Sequence, residues 1–253
     1  MNAHEKAAHD LAFRRREGRL GPALPLDARP VDAEAGFALQ RRVVELLGDP
    51  IGGWKCALPT AERMIVAPLF AAAIRTTSPC ALRVRGNTAP IEPEIAFVLG
   101  RDLPPRTTPY TEDEVRAAIG ETRLALEFLG NRYATPADVT PFEMLADCAN
   151  NQGLFKGPVV MDGLSQSLSR IPLTVAGPHG VIATFDGRHP DGDPIRPLVW
   201  LVNFLGRHGE TLRAGQIVTT GSYAGAIEVP LDLPLTITFG ALGSIDVHLL
   251  AAS

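Results

Sequence analysis

The chain has 253 residues, of which 45% are hydrophobic and 21% are charged, and its formal net charge is −4. This length suits one large domain, or one domain with a helical extension, and the composition supplies enough apolar surface for a sizeable core. The slight acidity gives no electrostatic basis for binding nucleic acid.

The N-terminal twenty residues alternate charged residues with alanine and lack the apolar centre of a signal peptide. No apolar stretch reaches the roughly 18 residues of a membrane span, so no membrane partner is expected. The three cysteines are dispersed and odd in number, which offers neither a disulfide framework nor zinc spacing; they are Cys56, Cys80 and Cys148. We therefore predict a protein of a reducing compartment, the cytoplasm.

Two helices are predicted to open the chain, joined by the proline-rich segment 21–30. The second helix should run from about Asp32, its N-cap, to Leu47, with Gly48 as a stop signal. From this pattern we predict an N-terminal helical segment over residues 1–50 and a β-rich catalytic domain over residues 51–253.

After the second helix the pattern changes to short apolar runs bounded by Gly, Pro or Asp, which is typical of strands. Three helices interrupt these runs. Two of them begin at capping boxes, Thr111 with Glu114 and Thr140 with Glu143, and the third covers about 194–205. This mixture predicts an α+β fold.

Two glutamates lie in the predicted strand 91–99, with the sequence IEPEIAFVL. Because side chains alternate along a strand, Glu92 and Glu94 share one face. Both faces are apolar beyond Glu94, so the strand is expected to enter a core. Two like charges at the mouth of a core raise each other's pKa unless a cation compensates, and a hard divalent ion would do so. The alternative is that both residues lie at an exposed strand end.

A third glutamate, Glu127, lies within the otherwise apolar strand 124–129. A buried carboxylate there must be protonated, paired with a base or bound to a metal. Arg132 is a candidate partner for it. Three carboxylates on two neighbouring strands would instead suit Mg²⁺ or Mn²⁺, with positions left for water or for substrate oxygens.

Several segments share their order and spacing with a known family: Gly53-Trp54-Lys55, 91–99, 125–132, 145–147, 194–205 and 214–222. From roughly Leu39 to the C-terminus the sequence resembles the 2-keto-4-pentenoate hydratase and 4-oxalocrotonate decarboxylase family, within the fumarylacetoacetase-like superfamily. The resemblance implies a mixed β-sandwich roll of the fumarylacetoacetase C-terminal type and a homo-oligomer. It also implies a divalent metal with Glu92, Glu94 and Glu127 as its ligands.

The resemblance also implies roles for residues around the metal. Lys55 matches the acid/base lysine of the family, and its task requires a pKa lowered toward neutrality by burial or by the cation. Asp147 matches an active-site position and would orient the lysine or a water. Ser222 could hydrogen-bond the substrate, with Gly221 permitting close backbone approach. Arg132 would bind a substrate carboxylate or neutralise the buried glutamate.

The implied substrate is a small 2-oxo acid, and the leading interpretation is a hydratase. It would add water to a 2-hydroxy-2,4-dienoate or 2-oxo-enoate and give a 4-hydroxy-2-oxo acid. Alternatives are a decarboxylase of a 4-oxalocrotonate-type dienedioate, an acylpyruvate hydrolase, and a catalytically silent oligomer partner. Departures from the family pattern around Cys56, Ala71 and Cys148 keep the last one open. His189, in a turn rich in glycine and proline, is expected to be solvated.

Overall fold

The computed structural model describes residues 1–252, which form five α-helices and thirteen strands. The helices are α1 (Ala3–Glu17), α2 (Ala33–Leu47), α3 (Glu112–Arg116), α4 (Pro141–Ala146) and α5 (Ile195–Arg207). The strands are β1 (Ile51–Ala57), β2 (Ile65–Phe70), β3 (Ile74–Arg75), β4 (Cys80–Leu82), β5 (Thr88–Leu99), β6 (Ile119–Leu129), β7 (Asn151–Val159), β8 (Leu173–Gly177), β9 (Gly180–Phe185), β10 (Ile217–Ser222), β11 (Ile227–Pro230), β12 (Pro234–Phe239) and β13 (Ser244–Ala251). The predicted α+β class is confirmed.

The strands form two sheets. The larger has the order β2-β1-β10-β5-β6-β7-β3, with β11 also paired to β5, and the smaller has the order β4-β13-β12-β8-β9. In the larger sheet β5, β6 and β7 are antiparallel neighbours, whereas β1 runs parallel to β10. The parallel pair joins residues about 160 positions apart, so this sheet depends on contacts between distant parts of the chain.

The two faces of β5 are buried in different places. Ile95 and Phe97 lie in the main core, together with Leu124 of β6. Ala96 and Val98, on the opposite face, pack in a separate apolar cluster that also includes residues of β6, β7 and β10. Both faces are therefore apolar beyond Glu94, as the sequence predicts, and burial of each large side chain stabilises the fold by about 1.5–3 kcal/mol.

The N-terminal helices have the predicted caps. The Asp32 side chain accepts a hydrogen bond from the Ala35 amide at 2.8 Å, and Gly48 ends α2 with φ 69°. Helices α1 and α2 share a small core with Tyr133 and Ala146, so they pack directly on the segment around α4. The division at residue 50 stays a prediction. Within residues 1–252, every helix is too short or too polar to cross a membrane.

Both predicted capping boxes are present, at Thr111 before α3 and at Thr140 before α4. Glu143 of the second box is fully buried, and its other oxygen accepts from the Leu24 amide at 2.8 Å. Helix α5 begins as predicted but continues to Arg207, two residues beyond the predicted end at about 205.

Candidate metal centre and active site

The three predicted glutamates lie together on one face of the larger sheet. In the antiparallel pair of β5 and β6, Glu92 lies directly opposite Glu127, and Glu94 lies opposite Ala125. One carboxylate oxygen of each glutamate lies within 4.8 Å of the others. Glu94 is 2% exposed and Glu127 is 0% exposed, while Glu92 is half-buried. These three side chains could hold a metal ion between them.

Lys55 is the positive charge of this cluster. It projects from β1, and its Nζ donates to Glu127 Oε1 at 2.6 Å and lies 3.8 Å from Glu92 Oε2. The alternative that Arg132 neutralises Glu127 was wrong, because Lys55 pairs with Glu127 from a strand 72 residues away. Burial lowers the pKa of Lys55, but the charges of Glu127, Glu92 and Glu94 raise it, so the net direction is upward. Burial alone therefore does not bring the pKa of Lys55 down toward neutrality as predicted.

The cluster has more negative than positive charge. Burial raises the pKa of Glu94 well above its usual value, and the nearby charges of Glu127 and Glu92 raise it further. Burial likewise raises the pKa of Glu127, although Lys55 opposes the change. When all four groups are ionised, three carboxylates face one ammonium, and two negative charges remain uncompensated in a largely water-free site. A divalent cation carries the charge that would balance them.

Unpaired oxygen atoms mark where such an ion would bind. Within residues 1–252, the buried Glu127 Oε2 and the buried Thr219 hydroxyl have no hydrogen-bond partner. Thr219 pairs with both Lys55 and Ala96 in the sheet, so its side chain shares their face. A buried carboxylate oxygen without a partner is costly, and a cation or a polar ligand would remove that cost. The donor set therefore fits a hard divalent ion.

The irregular end of β10, after Thr219, supports Glu94. A register shift in β10 between Thr219 and Ser222 turns the Gly221 amide toward Glu94 Oε2, which accepts from it at 2.8 Å. Gly221 has φ +128°, a conformation that residues with a Cβ rarely adopt. The Ser222 hydroxyl donates to the carbonyls of Gly225 and Pro93, at 2.9 and 3.2 Å. Substrate binding by Gly221 and Ser222 stays a prediction.

Asp147 and Arg132 form a buried ion pair. Arg132 Nε donates to both oxygens of Asp147, at 2.7 and 2.8 Å, and the Arg132 amide donates to Oδ2 at 3.0 Å. Asp147 is fully buried. Their predicted roles in catalysis and substrate binding stay predictions, whereas these contacts give both residues a structural task near the metal cluster.

One residue of the site was not found from the sequence, and the burial of one histidine outside it was misjudged. Asn151 is 1% exposed, and its Nδ2 donates to Glu127 Oε1 at 2.9 Å, so that oxygen accepts from both Asn151 and Lys55. His189 is 4% exposed rather than solvated, so that prediction was wrong; its ring packs against Tyr223, at 5.4 Å between centroids. The sequence around Asn151 indicates only a turn, and the glycines and prolines around His189 suggest exposure.

The amino-acid sequence of the chain is similar to those of known enzymes. No protein-family model matches it. It is 33% identical over 141 residues to a 2-keto-4-pentenoate hydratase of Paraburkholderia xenovorans, and 28% identical over 164 residues to a 4-oxalocrotonate decarboxylase of a Pseudomonas species. These matches cover 55% and 62% of this chain. The chain spans about half the length of the first relative and 59% of the second.

Solved structures extend the similarity to nearly the whole chain. The 4-oxalocrotonate decarboxylase of Pseudomonas putida G7, solved with magnesium and adipate, superposes with a TM-score of 0.79 at 19% identity, covering 98% of this chain and 97% of that one. The predicted family resemblance is confirmed. A fumarylacetoacetate hydrolase family protein of Yersinia pestis covers 80% of this chain with a TM-score of 0.54, so the chain has a fumarylacetoacetase-like fold.

Proposed function

We propose that the chain is a metal-dependent hydratase that adds water to a 2-hydroxy-2,4-dienoate or its 2-oxo-enoate tautomer and gives a 4-hydroxy-2-oxo acid. The observation that carries this proposal is the convergence of Glu92, Glu94 and Glu127 within 4.8 Å, with Lys55 bound to Glu127. The 33% identity to a 2-keto-4-pentenoate hydratase supports the choice of reaction.

The three glutamates would hold Mg²⁺ or Mn²⁺, because both ions prefer oxygen ligands. The orphaned Glu127 Oε2 and the half-buried Glu92 leave oxygens free for coordination, while Glu94 is fixed by the Gly221 amide. The cation supplies Lewis-acid stabilisation of negative charge that develops on the 2-oxo oxygen of the substrate.

Lys55 would hold and move the proton that the reaction transfers. In the structure its Nζ donates a hydrogen bond to Glu127 Oε1, and the charges of the three carboxylates raise its pKa. With a divalent ion held by the same glutamates, the added positive charge beside Lys55 would favour release of a proton from Nζ. Asn151 donates to Glu127 Oε1 and holds this oxygen in place, so the hydrogen-bond acceptor of Lys55 is fixed.

The substrate, the assembly and the location belong to the same proposal. The substrate is a small 2-oxo acid, and the protein works as a homo-oligomer in the cytoplasm. The cysteines at 56, 80 and 148 are buried free thiols, which suits a reducing compartment. Burial raises the pKa of Cys148, so this thiol stays protonated and is a poor nucleophile.

A second candidate is the decarboxylase reaction on a dienedioate, which would use the same glutamates and the same lysine. It is favoured by the structural similarity to the decarboxylase of Pseudomonas putida G7 over 98% of this chain. The two reactions differ in whether carbon dioxide leaves or water adds.

A spectrophotometric screen separates these candidates. 2-Hydroxydienoates with and without a terminal carboxylate are incubated with the protein and Mg²⁺ or Mn²⁺, and dienol absorbance and carbon dioxide are followed together. Loss of absorbance without carbon dioxide supports the hydratase, and loss with carbon dioxide supports the decarboxylase. Cleavage of acylpyruvates instead would identify a hydrolase. A chain that neither binds the ions nor turns over any of these compounds would be a silent oligomer partner.

A further inference from the structure

The segment between α4 and β7 has an unusual backbone. Cys148, Ala149 and Asn150 have φ values of 52°, 48° and 61°, so three successive residues that are not glycine adopt the left-handed conformation. This conformation crowds the Cβ atom against the following carbonyl, and residues other than glycine adopt it singly rather than in runs. Such strain persists only where surrounding contacts hold the chain in place, and it concentrates at functional sites.

Two arginines hold the ends of this left-handed turn. The Asp147 carbonyl, at its start, accepts from Arg15 at 3.0 Å and from Arg132 at 2.9 Å. The Asn151 carbonyl, at its end, accepts from Arg15 at 3.0 Å and from Arg132 at 3.3 Å. Each guanidinium group therefore bridges both ends of the turn. Arg132 lies in the loop that follows β6, whereas Arg15 reaches the turn from the N-terminal helix α1.

The turn presents two groups to the metal cluster. The Ala149 carbonyl accepts from Lys55 Nζ at 3.3 Å, and the Asn151 side chain donates to Glu127 Oε1 at 2.9 Å. Both contacts end on the ion pair between Lys55 and Glu127. A shift of the turn would therefore release the lysine and the glutamate together.

We propose that Arg15 is a positioning residue for the metal site, although it lies in the N-terminal helical segment and contacts neither Lys55 nor Glu127. Its side chain is 11% exposed and lies 3.5 Å from the Asp147 carboxylate. It also lies over the ring of Phe70. The N-terminal segment thus completes the site through one side chain that fixes the left-handed turn. This inference rests on the proposed metal-dependent function.

Loss of Arg15 leaves the contacts of Arg132 with the left-handed turn in place. Asp147 keeps both of its short bonds to Arg132 Nε, so its buried charge stays paired. What is lost is one of the two donors to the Asp147 carbonyl and the better donor to the Asn151 carbonyl, since the bond from Arg132 to Asn151 is the longer of the two. Arg15→Ala is therefore expected to fold, with a loosened turn.

The test compares Mn²⁺ affinity in Arg15→Ala with two controls. Arg16→Ala removes the neighbouring arginine, which donates to the Leu46 carbonyl. Leu11→Ala removes a fully buried side chain of the same helix and destabilises it without touching the turn. We expect Arg15→Ala to weaken Mn²⁺ binding by about 10-fold or more, the usual effect of removing support from a ligand. Both controls should bind like the wild type. Equal affinity in Arg15→Ala, or an equal loss in Leu11→Ala, would overturn the proposal.

Hydrogen exchange of the metal-free protein tests the clamp independently. In Arg15→Ala, the peptide that covers 148–152 should exchange faster than in the wild type. In Leu11→Ala, the exchange rate of this peptide should not exceed its rate in Arg15→Ala. Unchanged protection in Arg15→Ala would contradict the claim that Arg15 holds the left-handed turn. If the wild type itself fails to bind Mn²⁺, the proposed function fails, and hydrogen exchange alone decides whether Arg15 holds the turn.

Discussion

At the scale of single residues, polarity located the metal cluster but not its partners. Glu127 was conspicuous because a carboxylate in an apolar strand needs compensation, and Glu92 and Glu94 were conspicuous by their spacing. The ion pair of Lys55 with Glu127 was not predicted, because it joins β1 to β6 across 72 residues. Asn151 carried no signal, since an amide in a turn is usually exposed.

Lys55→Met tests the role of the lysine. The substitution removes the proton carrier and leaves Glu127 without the lysine ammonium as its partner. Turnover should therefore fall by about 10²-fold or more, the usual contribution of a general acid or base. Steady-state kinetics with the substrate found in the screen measures this change. Lys6→Met, at an exposed position of α1, is the control and should retain turnover. Wild-type turnover of Lys55→Met across the pH range would remove the lysine from the mechanism.

His189 should make the stability of the protein depend on pH. Burial lowers its pKa from the usual 6.5, although Asp191 opposes the change. Because the folded-state pKa lies below the unfolded value, the unfolded chain takes up the proton more readily. The stability that His189 contributes is therefore complete above pH 6.5 and is lost as the pH falls toward the folded-state pKa.

The measurement is urea unfolding of the wild type and of His189→Gln at about pH 7.5 and about pH 5.5, on either side of the ordinary histidine pKa. The stability of the wild type relative to the variant should decrease at the lower pH. A difference that is the same at both pH values would show that His189 does not titrate differently on folding.

At the scale of elements, local signals predicted the helices well and the irregular segments poorly. The capping boxes at Thr111 and Thr140 and the cap at Asp32 are encoded within a few residues, so the sequence reveals them. The shift in β10 and the left-handed turn after Asp147 are imposed by tertiary contacts, the first with β5 and the second with two arginines. No local pattern in 148–150 indicates three residues of positive φ.

The buried pair of Arg132 and Asp147 should be required for this part of the fold. Arg132→Met leaves the fully buried Asp147 carboxylate with only the backbone amide at position 132 and the more distant Arg15, and breaking a buried pair typically costs about 3–5 kcal/mol. Chemical denaturation of the metal-free protein measures the loss. Arg101→Met, at an exposed position, is the control and should change stability by less than about 0.5 kcal/mol. A similarly small change in Arg132→Met would show that Asp147 does not depend on this partner.

At the scale of the whole molecule, the fold followed from the resemblance more than from local patterns. The strands were recognisable one by one, but their order was not, because β1 joins β10 and β5 joins β10 through contacts between distant parts of the chain. The same long-range pairing brings Lys55, Thr219 and the three glutamates onto one face. The centre of the site is therefore a product of sheet topology.

Binding of a divalent ion should stabilise the whole molecule. At an ion concentration about 100 times Kd, the gain is about 2.7 kcal/mol, and for a chain of this size Tm should rise by about 5–10 °C. Glu62→Gln, at an exposed position outside the cluster, should show the same rise as the wild type.

Titration calorimetry of Mn²⁺ into the wild type, Glu92→Gln and Glu127→Gln tests the central claim most directly. The account predicts one ion per chain for the wild type and loss of binding in both variants. An isotherm that is flat for the wild type, or the same for all three proteins, would contradict it.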